Sequence, residues 1–118
     1  MSVSYQAFYQ VTAKDRGAFL DNYRNTHIPI LLTFPGLEKL IVREQIDWSD
    51  GHDEPTDAFL LIVEFVFADT AAMEAGITSE RRLAAKQSFA NFPEFSGKIW
   101  HQGMSIREHF PSEETEEK

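Results

Sequence analysis

The run AFLLIVEFVF, Ala58 to Phe67, constrains the fold of this chain more than any other segment. Phe59, Leu61, Val63, Phe65 and Phe67 share one parity, Ala58, Leu60, Ile62 and Val66 share the other, and Glu64 is the single charge. A short apolar run rich in β-branched and aromatic residues reads as a strand, and a strand apolar on both parities needs cover on both faces. The neighbouring loop SDGHDEPTD, Ser49 to Asp57, is too polar to act as a lid. A monomer seldom leaves such a sheet face in water, so a second copy of the chain is the expected cover and a homodimer the expected assembly. Burial under the chain's own loops is the alternative.

The rest of the chain supplies the other elements. Ser2 to Val11 alternates Val3, Tyr5, Ala7, Tyr9 and Val11 against Ser4, Gln6, Phe8 and Gln10, a period of two that predicts a first strand. Thr12 and Asp15 make a capping-box-like start, after which Phe19, Leu20, Tyr23, His27, Ile30 and Leu31 recur at helical spacing. Pro29 lacks an amide donor, so a kink or loosened turn is expected near it. FPGL, Phe34 to Leu37, reads as a turn, and Glu38 to Trp48 as a second strand. Asp69 can cap a helical turn through Ala75, Gly76 is expected to interrupt it, and Ser79 to restart a helix through Asn91 with Leu83, Phe89 and Ala90 inward. Lys98 to Phe110 closes the pattern as a fourth strand. The order βαββαβ predicts an α+β, ferredoxin-like sandwich, an antiparallel four-stranded sheet with two helices on one face. Residues 1–110 form one domain on this reading. Residues 111–118, ending in SEETEEK, form an acidic tail with nothing to bury, which is expected to be mobile.

Charge and composition remove several function classes. A net charge of −8, with eleven scattered basic residues, argues against a nucleic-acid partner. No apolar stretch reaches the length of a membrane-spanning helix, and the start MSVSYQAFYQ lacks the layout of a secretory signal. With no cysteine the chain has no disulfide frame, thiolate site or thiol nucleophile, which suits a cytoplasmic location. His27, His52, His101 and His109 show no ligand spacing, so no metal is expected. The G-x-S-x-G elbow, the G-x-G-x-x-G turn and the phosphate loop are all missing, and no cofactor is expected. Haem on a single helix histidine is the one cofactor that spacing does not exclude.

His27 is the leading candidate for chemistry. It falls on the apolar stripe one turn after Tyr23 and just before Ile30 and Leu31, where pure packing would favour Leu or Ile. An imidazole titrating near neutrality can take and return a proton without a cofactor; the alternative is a core histidine bonded to a carbonyl freed by Pro29. Glu64 is a second candidate, to orient His27, to bind a substrate hydroxyl, or to pair with an arginine such as Arg43. Tyr5, Phe8, Tyr9, Tyr23, Phe89 and Trp100 are candidates for an aromatic pocket or for plain core.

TAKDRGAFLDNYRNTHIPILLTFPGL resembles the first helix and turn of the EthD family: an aromatic and Arg, H-x-P with an apolar residue after it, then P-G-L, here Tyr23, Arg24, His27, Pro29, Ile30, Pro35, Gly36 and Leu37. DAFLLIVEFVFADTAAMEAGITSE resembles the family's Glu-containing strand and acidic cap, with Glu64 and Asp69 in those places. Leu40, where an aromatic is usual, and Ile30, where Leu is usual, depart from the pattern. The resemblance implies a dimeric α+β barrel with a small-molecule pocket between helix and sheet in each subunit. Relatives in that superfamily include isomerases, cyclases, cofactor-free monooxygenases and haem-degrading enzymes, so the fold does not choose the reaction. Taken together, the expectation is a homodimer that binds a small-molecule ligand. It would use His27 for proton transfer on an aromatic or lactone-like carbonyl substrate, as an isomerase, cyclase or lyase does, with Tyr23, Ile30 and Glu64 contacting the substrate. The alternatives are a cofactor-free monooxygenase acting on a quinol-like substrate and a non-catalytic binder serving a degradation pathway.

Overall fold

β1, Val3–Ala13, is the strand around which the domain is built, in a computed structural model that describes residues 2–48, 51 and 58–112. It pairs antiparallel with β3, Leu61–Phe67, on one side and with β4, Phe95–Ser105, on the other. β2, Lys39–Glu44, adds to the far side of β3 and gives the order β2-β3-β1-β4. This is the antiparallel four-stranded sheet expected from the βαββαβ pattern.

Several boundaries differ from the sequence reading, each for a local reason. β1 runs on through Thr12 and Ala13 because β4 pairs with it along its whole length, from Val3↔Ser105 to Ala13↔Phe95. That register also moves β4 upstream of the expected Lys98 to Phe110. Thr12 is therefore strand, and Asp15 is the true cap of α1, Arg16–Asn22, its Oδ1 accepting the Ala18 amide at 3.0 Å. β2 ends at Glu44, which leaves Ile46 and Trp48 exposed. Most of the polar loop, residues 49–50 and 52–57, and residues 113–118 of the acidic tail lie outside the described residues.

The loosened turn anticipated from Pro29 is present as a π-helical turn, Tyr23–His27, closed by the Ile28 amide donating to the Tyr23 carbonyl. A proline ring collides with the carbonyl four residues back in a regular helix, and the wider turn relieves this before α2, Ile28–Leu31, begins. α3, Thr70–Ile77, starts at Asp69, whose carboxylate accepts the Ala72 amide at 2.8 Å. Gly76 does not interrupt this helix. It lies buried inside it, where an added Cβ would stand 2.7 Å from the Phe67 ring and 2.8 Å from the Pro35 carbonyl oxygen. α4, Glu80–Phe89, follows after Ser79, whose hydroxyl turns back to the Gly76 carbonyl at 2.7 Å. Ala85 is its buried residue, whereas Leu83 and Ala90, expected inward, are exposed.

The sheet has two unlike faces. Tyr9 and Val11 of β1 pack with Leu61, Val63, Phe65 and Phe67 of β3 in the core beneath the helices. The opposite parity, with Phe8, Ile62, Trp100 and Met104, carries no helix; Trp100 is 51% exposed and Met104 37%. Alternation in β3 begins at Leu61. Before it, Leu60 joins the core, while Phe59 is 38% exposed with its ring 5.9 Å from Phe8, the reverse of the parity read from the sequence.

Candidate functional site

Side chains from β1, β3, β4 and the helical layer line a half-open cavity of about 250 Å³. Strand alternation brings Tyr5, Ala7 and Tyr9 of β1 and Ile99 and His101 of β4 to the same side, because Tyr9 pairs with Ile99 and Ala7 with His101. Tyr23, His27 and Leu31 follow at intervals of four and share one helical face, lining a second wall. Arg82, Ala85, Lys86 and Phe89 of α4, again at three- and four-residue spacing, line a third.

His27 is 4% exposed. Its ring meets Phe92 edge-on at 4.8 Å and Tyr23 at 5.1 Å, and Nδ1 lies 3.0 Å from the Ser88 hydroxyl of α4. Burial lowers its pKa to about 4, so the imidazole is neutral at neutral pH. Tyr9 and Tyr23 cross at 5.5 Å with their hydroxyls hydrogen-bonded to each other. Burial raises the Tyr9 phenol to about 12 and pushes Tyr23 well above its ordinary value, which keeps both as hydroxyl groups.

A second polar group forms around Tyr5. The Arg82 guanidinium donates to the Tyr5 hydroxyl at 3.1 Å and to the Ile77 carbonyl at 3.4 Å. His101 stacks on the Tyr5 ring at 5.4 Å, its pKa lowered by burial and then by the Arg82 charge.

Of the residues singled out from sequence, Tyr23 and His27 come together in the cavity wall, joined by Tyr5, Tyr9 and Phe89. Ile30 and Glu64 do not. Leu31 stands one turn beyond His27, and Ile30, one residue earlier, is rotated off the lining into partial burial elsewhere in the core. Glu64 alternates with Val63 and Phe65, so it projects from the helix-free face, where Arg43 Nη1 holds it at 2.5 Å. The sheet separates it from His27. Phe8 and Trp100 share that other face. Arg24 of the H-x-P segment is a surface clamp, donating through Nε and Nη2 to Glu44 at 2.9 and 2.5 Å. Sequence reasoning missed Ser88, Arg82, Lys86 and His101; the spacing of Arg82, Lys86 and Phe89 was the available signal. Among the described residues no cluster of three or more His, Asp or Glu could hold a metal ion, and no helix is long and apolar enough to cross a membrane.

No protein-family model matches the chain, and no curated protein matches it in sequence. Solved structures do. An ethyl tert-butyl ether D (EthD) family protein from Bacillus halodurans aligns with a TM-score of 0.73 at 22% identity, covering 91% of this chain and all of that one. A hydroxynitrile lyase from Passiflora edulis aligns at 0.65 and 18% identity, covering 93% and 97%. SnoaB, a cofactor-independent oxygenase from Streptomyces nogalater, aligns at 0.62 and 13% identity, covering 94% and 98%. Others are described as dimeric ferredoxin-like proteins. The H-x-P and P-G-L resemblance and these structures converge on one fold, the ferredoxin-like domain of EthD and related proteins.

Proposed function

We propose that the chain is a homodimeric, cofactor-independent enzyme that takes a one- or two-ring aromatic or lactone-like carbonyl compound into the cavity and moves a proton with His27. The observation that carries this reading is a neutral imidazole fixed in the wall of a mostly apolar cavity. In the tautomer whose Nδ1–H donates to the Ser88 hydroxyl, Nε2 holds the free lone pair and can accept a proton from the carbon beside a carbonyl. A base with a pKa of about 4 is weak, but an enolate forming beside it favours the protonated imidazole and strengthens it as the reaction proceeds. Return of the proton to a different carbon completes an isomerisation; in an elimination the enolate expels a leaving group, which takes the proton, and in a cyclisation the enolate carbon attacks a second carbonyl of the same molecule, whose oxygen takes it.

The likeness to a hydroxynitrile lyase supports the lyase form of this reading. The likeness to a cofactor-independent oxygenase supports a second reading, in which His27 deprotonates a quinol-like compound that then reacts with dioxygen. Homodimer formation is supported by the apolar helix-free face and by neighbours described as dimeric. The test is a turnover screen of small carbonyl and quinol compounds with and without oxygen. Isomerisation or elimination that is indifferent to oxygen and falls about 10²- to 10⁴-fold in His27→Gln is the expected result. Tight binding without turnover in either atmosphere would reduce the protein to a binder.

A further inference from the structure

Resting on the proton-transfer reading, we infer that the carbonyl compound taken into the cavity also bears a carboxylate, and that Arg82, with Lys86 beside it, recognises that group. The charges on the walls carry the argument. In a chain with nineteen acidic and eleven basic residues, the cavity is lined by Arg82 and Lys86 and by no aspartate or glutamate. The other titratable groups facing it are Tyr5, Tyr9, Tyr23, His27 and His101, none of which supplies a negative charge at neutral pH.

Arg82 and Lys86 sit four residues apart on one face of α4, a spacing at which like charges repel and oppose the helix. Arg24 and Arg43 are each matched to a carboxylate, whereas Arg82 has no carboxylate partner among the described residues. Two of its five N–H groups are taken by neutral oxygens, of Tyr5 and Ile77. A guanidinium placed against apolar walls with donors to spare is matched by an oxyanion in plane with it, which it can hold through two parallel bonds. Acidic groups elsewhere on the surface are screened beyond about 8 Å at physiological salt, so the net charge of −8 does not cancel the local positive potential. A carboxylate anchored here would fix which face of a planar carbonyl compound turns toward His27. Arg82 is then a specificity-determining residue.

The experiment compares 2-naphthoate with 2-naphthamide, which share a ring system and differ in charge, by calorimetric titration of the native protein at pH 7.5. The acid should bind at least about tenfold tighter than the amide, and the margin should narrow as salt is raised. Arg82→Gln should bring the two ligands to within about twofold, Lys86→Gln should narrow the gap partly, and His27→Gln should leave it in place. Equal binding of acid and amide, failure of the acid to bind, or a preference that survives Arg82→Gln would overturn the assignment. The acid–amide comparison on the native chain needs no variant to fold. An acid preference in a protein that turns over no carbonyl acid would uphold the anion site and sink the proton-transfer reading instead.

Discussion

His27 is held by three contacts that come from distant parts of the chain: Tyr23 on its own helical face, Ser88 on α4 and Phe92 just after it. Their physical consequence is a neutral ring, and that has a pH signature. The folded chain binds a proton at His27 at a pKa of about 4, and the unfolded chain near 6.5. As pH falls from 6.5 to 4 the unfolded state is protonated first, so the stability contributed by the neutral ring is complete above about 6.5 and lost toward 4. The loss is up to about 3 kcal/mol. His101 shifts in the same direction, but it is exposed and screened by solvent, so His27 carries the effect. Denaturant unfolding at pH 7.5 and at pH 4 should show the decline, and His27→Gln should flatten part of it; an unchanged pH profile in that variant would mean that the imbalance lies elsewhere. The histidine itself was legible because H-x-P interrupts an apolar stripe. Ser88 was not, since a serine on a polar-looking helix carries no mark of a partner sixty-one residues away.

At the scale of elements, period told strand from helix correctly, while packing and pairing decided the boundaries. Gly76 reads as a breaker by propensity, yet it is where α3 passes closest to Phe67 and the Pro35 carbonyl. Gly76→Ala should therefore test which influence rules. Propensity alone would stabilise the helix by about 1 kcal/mol, whereas a methyl group forced against a ring and a backbone oxygen should cost about 1–3 kcal/mol. We expect a net loss in thermal or chemical denaturation; a gain would show that the helix can shift away from β3. β4 teaches the same lesson from pairing. Its start at Phe95 is set by the last residue of β1, and Gly97, at φ +117°, lets the backbone come close to the Gln10 carbonyl, where a Cβ would stand at 2.3 Å. Nothing in NFPEFSG taken alone announces a strand.

At the scale of the whole molecule, one chain lays its helices on one face of its sheet and leaves Trp100 and Met104 of the other exposed, with Ser4, Glu64 and Val66 buried between them and the far edge. The doubly apolar β3 pointed to a need for cover on both faces, but the charge of the cavity was not legible, because its walls are assembled from residues between Tyr5 and His101. The helix-free face, with Phe8, Phe59, Ile62, Trp100 and Met104, is where the proposed second subunit would sit. Ile62 is the informative position. It lies on an inner strand, directly across from Arg43 on β2 and Phe8 on β1. Within a monomer Ile62→Glu gains a cationic neighbour and keeps partial access to solvent, so folding should survive at a cost of about 1 kcal/mol. Within a dimer the same carboxylate would be sealed against apolar side chains, at several kcal/mol. Light scattering should find the native chain dimeric at micromolar concentration, and Ile62→Glu monomeric, folded and at least about 100-fold weaker in self-association. A native chain that stays monomeric at that concentration would remove the barrel. A variant that stays dimeric would move the interface off this face.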